Sequence, residues 1–349
     1  MADQVHGVLV HLLPNSYSAS GVHLDAMEGL KDRIKGFAAL THGPEVLAGG
    51  STFAGLYALS GFRQPVLVAS TDGVGTKLKV AAQLGHFESI GQDLVSLNVN
   101  DILTKGARPL FFLDYIAFSK LDPQRMETLL RGIVWGCKET GCALIGGETA
   151  QMPGLYAGDD FDLAGFVVGA VERDQVIDGS QIAPGDLLVG IPSSGLHTNG
   201  YSLVRKVFGL DERPSALFQR FDELHHTLGE ELLVRHRCYY PLLQPTLSLI
   251  KGLAHITGGG LPGKMPAILP PTVAAQFQTG SWEVPAIFRI VQRVGQISNE
   301  EMYRVFNMGL GMVAVCTEAN VARLQAVVPD AHVVGRIIPR RDDAQVILG

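Results

Sequence analysis

Three short segments set carboxylates beside glycines, a combination suited to a cation and the phosphates it bridges. Ser70-Thr71-Asp72-Gly73-Val74-Gly75-Thr76-Lys77 delivers an acid into a Gly-x-Gly turn and follows it with a lysine. An aspartate can hold a hard divalent cation. The N–H groups at Gly73, Gly75 and Thr76 can cradle phosphate oxygens, and Lys77 can neutralise them. The same residues also make an ordinary tight turn with a solvated lysine. Asp93 and Asp101 stand eight residues apart with Leu97 between them, which puts all three in one helical stripe. Either the acids meet a metal and polar groups, or the stripe emerges at an edge. Gly146-Gly147-Glu148 follows an apolar run, so Glu148 is expected at a strand end, where α/β sheets hold their sites. A plain loop carboxylate fits that segment equally well.

Two further segments suit an anion. Ser193-Ser194-Gly195-Leu196-His197-Thr198-Asn199-Gly200 precedes a helical pattern, and small hydroxyl and amide residues at a helix start bind phosphate or simply cap the helix. His197 is a candidate donor or acid/base, or a satisfied structural histidine. Thr257-Gly258-Gly259-Gly260 is a second phosphate cradle. Gly258 to Lys264 spells G-x4-G-K, but Met265 follows where a hydroxyl should hold Mg²⁺ and Pro262 sits inside, so it is not a P-loop. GxSxG and HExxH do not occur.

The elements that must position these residues alternate. A helix is expected over Leu24–Leu40, then a strand Pro65–Thr71, a helix Phe87–Lys105, a strand Leu110–Phe118, a helix opened by Asp122-Pro123, and strands Cys142–Ile145 and Phe161–Val171. Asp178–Gly185 is turn-rich. A second series follows: strand Leu187–Ile191, helix Asn199–Phe208, strand Thr272–Phe277, helix Pro285–Val294, and strands Leu310–Cys316 and His332–Ile338. Residues 209–230 are polar and fit neither pattern. The expectation is an α/β (α+β) protein with an N-terminal arm over 1–16, one domain over 17–177 and a second over 178–349.

Composition agrees. The 349 residues carry 46% hydrophobic and 18% charged side chains, too apolar for disorder. A net charge of −6 argues against general binding to nucleic acid or an anionic membrane, though a local site can still take an anionic substrate. Four cysteines without CxxC spacing give no zinc signature and no disulfide scaffold. The short apolar piece Val8–Leu13 lacks a basic flank, and no run reaches the length of a span; a soluble, cytoplasmic protein is expected. Glycine, at 41 residues, clusters at strand-to-helix junctions rather than in a linker.

As an ordered set these segments resemble one family, the phosphoribosylformylglycinamidine cyclo-ligases, also called aminoimidazole ribonucleotide synthetases. The resemblance runs from about Tyr17 to the C-terminus. It is carried by RIKG (Arg33 to Gly36), TDGVGTKLK (Thr71 to Lys79), NDILTKGARPLFFLDYIA (Asn100 to Ala117), GGETAQMPGLY (Gly146 to Tyr156) and DLAGFVVG (Asp162 to Gly169). SSGLHTNGYSLVRKV (Ser193 to Val207), HITGGGLPGK (His255 to Lys264) and RVFNMGLGM (Arg304 to Met312) continue it. The chain departs at Gly21-Val22-His23, where the family usually has Gly-Val-Asp, and matches poorly over 209–240.

The resemblance implies two α/β domains, with N-terminal sheets pairing across a homodimer into a shared barrel. It implies an ATP-dependent closure of formylglycinamidine ribonucleotide to aminoimidazole ribonucleotide in purine biosynthesis, releasing ADP and phosphate. Carried over by matched motif, Asp72, Asp101 and Glu148 would hold Mg²⁺ and the ATP phosphates, with Asp93 a weaker addition. Lys35 and Lys77 would contact phosphates or the phosphoryl in flight, Asp72 sharing that catalytic role. His197 and Asn199 would face the reacting amide or the substrate phosphate, and Gly258, Gly259 and Gly260 would line the same cleft. Relatives in the wider superfamily fit less well: selenophosphate synthetase needs a reactive Cys near the N-terminus, the hydrogenase-maturation dehydratase ends in Cys, and thiamine-monophosphate kinase lacks the TDGVGTK and HTNGYS wording. A non-catalytic dimeric binding protein is the alternative from another class.

Overall fold

The computed structural model describes residues 24–50, 53–341 and 343–349, with the side chains described from residue 28. The arm over 1–16 and Gly21-Val22-His23 lie outside the described residues.

The first half runs α1 (Leu24–Ala39), β1 (Val46–Ala48), β2 (Leu56–Tyr57), β3 (Pro65–Gly73), α2 (Lys77–Leu84), α3 (Glu88–Leu103), β4 (Arg108–Phe118), α4 (Pro123–Thr140), β5 (Ala143–Gln151) and β6 (Phe161–Glu172). The four long strands form one sheet in the order β3-β6-β4-β5. Only β4 and β5 run parallel, because α4 crosses between them and returns the chain in the same direction. Asp122 caps α4 by accepting from the amides of Gln124 and Arg125, and Pro123 occupies the first turn, where its missing N–H costs nothing.

Helices α3 and α4 pack on one face of this sheet. A Cβ on Gly91 would stand 2.2 Å from the Leu129 carbonyl oxygen, and one on Gly132 2.1 Å from that of Glu88, so the two backbones touch where both residues are glycine. The other face lies open. Leu67 on β3 is 63% exposed and Phe166 on β6 41%.

The second half runs β7 (Leu187–Pro192), α5 (Tyr201–Phe208), α6 (Leu228–Leu232), α7 (Tyr240–Leu243), β8 (Gly252–His255), α8 (Gly260–Lys264), β9 (Val273–Phe277), α9 (Ala286–Gly295), α10 (Asn299–Val305), β10 (Leu310–Cys316), α11 (Glu318–Val327), β11 (His332–Pro339) and β12 (Val346–Leu348). Its six-stranded sheet has the order β12-β9-β11-β7-β10-β8. The unplaced 209–230 stretch contains a short 3-10 turn over Pro214–Phe218 and then α6, which opens with a capping box between Thr227 and Glu230.

Two elements differ from expectation. Helix α5 starts at Tyr201, with Gly200 in left-handed backbone as its cap, so neither Thr198 nor Asn199 caps it. Strand β5 continues through Gly146 and Gly147 to Gln151. Those two glycines are no turn: Gly147 lies against Asp114, whose Oδ1 would stand 2.3 Å from an added Cβ. Glu148 therefore sits within a strand rather than at its end.

Candidate active site

Three glycine-containing loops meet between the two sheets. β3 ends at Gly73, and Gly75, at φ +63°, turns the chain into α2 with its Cα edge toward the carbonyl oxygen of Thr198. A side chain there would require left-handed backbone, which glycine adopts freely. The Thr76 hydroxyl bonds that of Ser202 on α5 at 3.0 Å. On the other side Asn199 Oδ1 lies about 3.1 Å from where a Cβ of Gly258 would be. Gly259 and Gly260 both hold positive φ, and a Cβ on Gly260 would overlap the Tyr303 carbonyl oxygen. Gly73, Gly75, Thr76, Asn199 and Gly258–Gly260 are thus brought together.

Two acids join them. Asp101, at the end of α3, accepts from His255 Nδ1 at 2.8 Å through Oδ1 and from the Ser70 hydroxyl at 3.1 Å through Oδ2. Asp72 lies on the same face of β3 as Ser70, and its own Oδ1 accepts the Gly73 amide at 2.8 Å. Partial burial raises the Asp72 pKa; the Asp101 charge raises it further, while Lys264 and His255 pull it down. Two carboxylates and a hydroxyl thus share one small region with one lysine close by.

Five expected site residues are placed elsewhere. Lys77 is fully buried, its Nζ 2.7 Å from Asp93 Oδ2 and donating to the carbonyls of Val234 at 2.8 Å and His197 at 3.1 Å. A carboxylate and two carbonyls thus surround its ammonium inside the protein. Asp93, equally buried, also accepts the His236 amide at 2.6 Å. The pair is an internal clamp from α2 and α3 to the second half, with both side chains facing inward.

Glu148 is separated from Asp72 by the sheet. Asp72 pairs with Gly165, Gly165 with Asp114, and Asp114 with Gly147, which is three strand spacings or roughly 14 Å. Alternation then turns Glu148 to the open face while Asp72 points to the helix face. A single ion cannot be shared by Asp72, Asp101 and Glu148 of one chain. Lys35 on α1 goes with Glu148: both line a cavity of about 1030 Å³ with Tyr115 and Asp114, apart from the acid pair.

His197 also turns inward. It holds φ +59°, a conformation that side chains adopt at a cost. Its ring is 2% exposed and stacks on His236 with centroids 3.9 Å apart. Burial first, then the nearby positive groups, push both imidazoles well below the ordinary range, so both are neutral at pH 7. His197 therefore stands behind the cleft.

The motifs did not single out His236, His255 or Lys264. His255 and Lys264 flank the Gly258–Gly260 loop and were signalled only as part of it. His236 lies in the stretch without periodicity or motif, and nothing local marks it.

Asp114 is buried beneath Gly147. Burial, with a smaller contribution from the Glu148 charge, pushes its carboxyl up to about 7. A raised folded pKa means that its contribution is complete below the unfolded pKa of ~3.9 and is lost as pH rises through about 7. Asp114→Asn removes that loss. Its stability relative to the parent chain should improve by on the order of 2 kcal/mol between pH 5 and pH 8, read from denaturant melts at both; a constant difference would contradict this account of Asp114.

Residues 54–171 match the AIR synthase related protein N-terminal domain, and residues 183–347 match its C-terminal domain. The chain belongs to the AIR synthase related family. Among curated relatives of this AIR synthase-type chain, a phosphoribosylformylglycinamidine cyclo-ligase of Sorangium cellulosum is 51% identical, covering 86% of this chain and 87% of the relative. The Carboxydothermus hydrogenoformans protein of the same name is 49% identical over 88% and 90%. That of Myxococcus xanthus is 46% identical over 95% and 99%. Among solved structures, thiamine-monophosphate kinase from Stenotrophomonas maltophilia aligns with a TM-score of 0.65 at 17% identity, over 91% of this chain and 94% of the other. A hydrogenase maturation protein HypE in complex with ATP aligns at 0.63 and 17%, over 89% and 88%. These last two share the fold.

Proposed function

We propose that this AIR synthase family chain closes the imidazole ring of aminoimidazole ribonucleotide. ATP phosphorylates the formyl oxygen of formylglycinamidine ribonucleotide; the amidine-side nitrogen attacks the formyl carbon; the C–O bond breaks and the oxygen departs on phosphate. Protons lost from nitrogen and carbon pass to solvent or to a base as the ring becomes aromatic. An amide oxygen leaves poorly and a phosphate leaves well, which is why the reaction needs ATP. What carries the reading is the meeting of the Asp72–Asp101 pair with three glycine-containing loops in a chain 51% identical to a cyclo-ligase.

Asp72 and Asp101 fit Mg²⁺: they are hard oxygen donors, near enough for the Asp101 charge to add to the burial that raises the Asp72 pKa, and Mg²⁺ usually takes one or two carboxylates with waters and phosphates. Bound there, it would neutralise charge on the transferring phosphoryl. The amides of Gly73, Gly75 and Gly258–Gly260 and the Asn199 amide are assigned to phosphate oxygens, and Lys264 to the charge neutralisation expected of Lys77. His197 and the Lys77–Asp93 pair are positioning residues. The test is turnover: ADP and imidazole product should appear together, and only with formylglycinamidine ribonucleotide. ADP without ring closure would favour a kinase, and no ADP a binding protein.

We further propose a division at 177/178 into two domains, and a homodimer. The open sheet face, with exposed Leu67 and Phe166, would be covered by the same face of a second copy, closing the barrel and removing exposed edges. Glu148 and Lys35 would then belong to that covered face. Light scattering should give a dimer at micromolar concentration; a stable, active monomer would overturn this. Among the described residues no helix is long and apolar enough to cross a membrane. A cytoplasmic location fits the four buried free thiols.

A further inference from the structure

We infer that His197, His236 and His255 form a second cation site, behind Asp101, for a borderline transition ion such as Zn²⁺ or Co²⁺. It is separate from the magnesium pair and does not depend on the cyclisation reading. One ring nitrogen from each histidine lies within 4.8 Å of the other two, and all three residues are buried. The Nε2 atoms of His236 and His255 are 3.1 Å apart. Four-coordinate zinc with Zn–N bonds of 2.0–2.1 Å needs ligand nitrogens roughly 3.3–3.4 Å apart, so that pair needs only small movements; His197, stacked on His236 with 20° between the ring planes, has to turn out of the stack, because an imidazole lone pair lies in its ring plane.

The surrounding hydrogen bonds have the form that ligating imidazoles require. His255 presents Nδ1 to the Asp101 carboxylate at 2.8 Å. His236 presents Nδ1 to the Thr198 hydroxyl at 3.3 Å. With protons on both Nδ1 atoms, both Nε2 lone pairs are free for an ion, the usual carboxylate–histidine arrangement. Without an ion the two Nε2 atoms share a hydrogen bond, one ring carrying its proton there, with the Asn100 amide nitrogen also 3.3 Å from His236 Nε2; ligation has to replace these contacts. His197 supplies the independent observation: its buried Nδ1 has no partner, an uncommon state for a buried polar atom. Nitrogen donors select this ion class over Mg²⁺ or Ca²⁺.

A hydrogen bond opposes binding as well. The Ser194 amide donates to His197 Nε2 at 3.1 Å. Ligation through Nδ1 moves the ring proton to Nε2, so the Ser194 contact has to open, and the affinity is expected to be moderate.

The experiment titrates Co²⁺ into the full chain, free of any histidine tag, and follows visible absorbance with Zn²⁺ as competitor. One equivalent per chain should give the intense bands of four-coordinate Co²⁺, displaced by Zn²⁺. His236→Gln should weaken binding at least tenfold, whereas His225→Gln should not. Absence of those bands, or their persistence at full affinity in His236→Gln, would overturn the proposal. X-ray absorption of the zinc-loaded parent chain gives a second measurement that needs no variant: three imidazole scatterers are expected, and one or none would overturn it.

Discussion

Asp101→Asn is expected to cut kcat by on the order of 10²-fold or more while leaving the fold intact. Stabilising charge on a transferring phosphoryl through a bound cation is worth several kcal/mol, and each ~1.4 kcal/mol is tenfold in rate. Asn keeps an oxygen that can accept from His255 Nδ1, so the 2.8 Å contact can survive the loss of charge. The Mg²⁺ concentration for half-maximal rate should rise, and excess Mg²⁺ should restore part of the turnover. Without ligand the melting temperature should hold or rise slightly, because the Asp101 charge that raises the Asp72 pKa is gone. Steady-state turnover against Mg²⁺, beside melts of the ligand-free chain, checks this. Near-parental turnover at ordinary Mg²⁺ would place the metal elsewhere.

Lys77→Met should instead act on stability. Removing one member of a fully buried ion pair typically costs about 3–5 kcal/mol, since the other charge is left uncompensated. Here Asp93 and the carbonyls of His197 and Val234 all lose their donor. At ~2–4 °C per kcal/mol for a domain of this size, the melting temperature should fall by on the order of 10 °C. Adding Asp93→Asn should recover part of the loss, because a neutral amide needs no counter-charge. If Lys77 instead touched phosphate, Lys77→Met would lower turnover without moving the melt, so the two roles separate in one experiment.

Much of this architecture was legible because strands and helices keep different apolar periods. The β-branched run at Pro65–Thr71, the Asp122-Pro123 helix start and the buried stripe through Ile90, Leu94 and Leu97 each map onto one element. The glycines were harder to read. Gly75 marks a turn with positive φ, whereas Gly146 and Gly147 lie in a strand, Gly147 where a carboxylate leaves no room for a Cβ. Sequence shows the residue and not which of these reasons applies, so Glu148 was expected at a strand end beside Asp72 when strand order and alternation put it on the opposite face.

Burial was the other hidden quantity. Lys77 follows a Gly-x-Gly turn as a phosphate lysine would, yet Asp93, which becomes its partner, looks from the sequence like a member of the acid stripe. His197 sits in a motif, but its left-handed backbone and its stacking on His236 depend on a residue 39 positions later, in a stretch with no pattern of its own. Long-range partners of this kind leave no local signal.

The most direct test of the central claim follows one oxygen. Formylglycinamidine ribonucleotide labelled with ¹⁸O at the formyl group is turned over with ATP and Mg²⁺, and ADP, phosphate and imidazole product are quantified. The account predicts all three in equal amounts, with the label recovered in inorganic phosphate and none of the three formed without the substrate. Label retained in an uncyclised product, or ADP released with unlabelled phosphate and no imidazole, would contradict it.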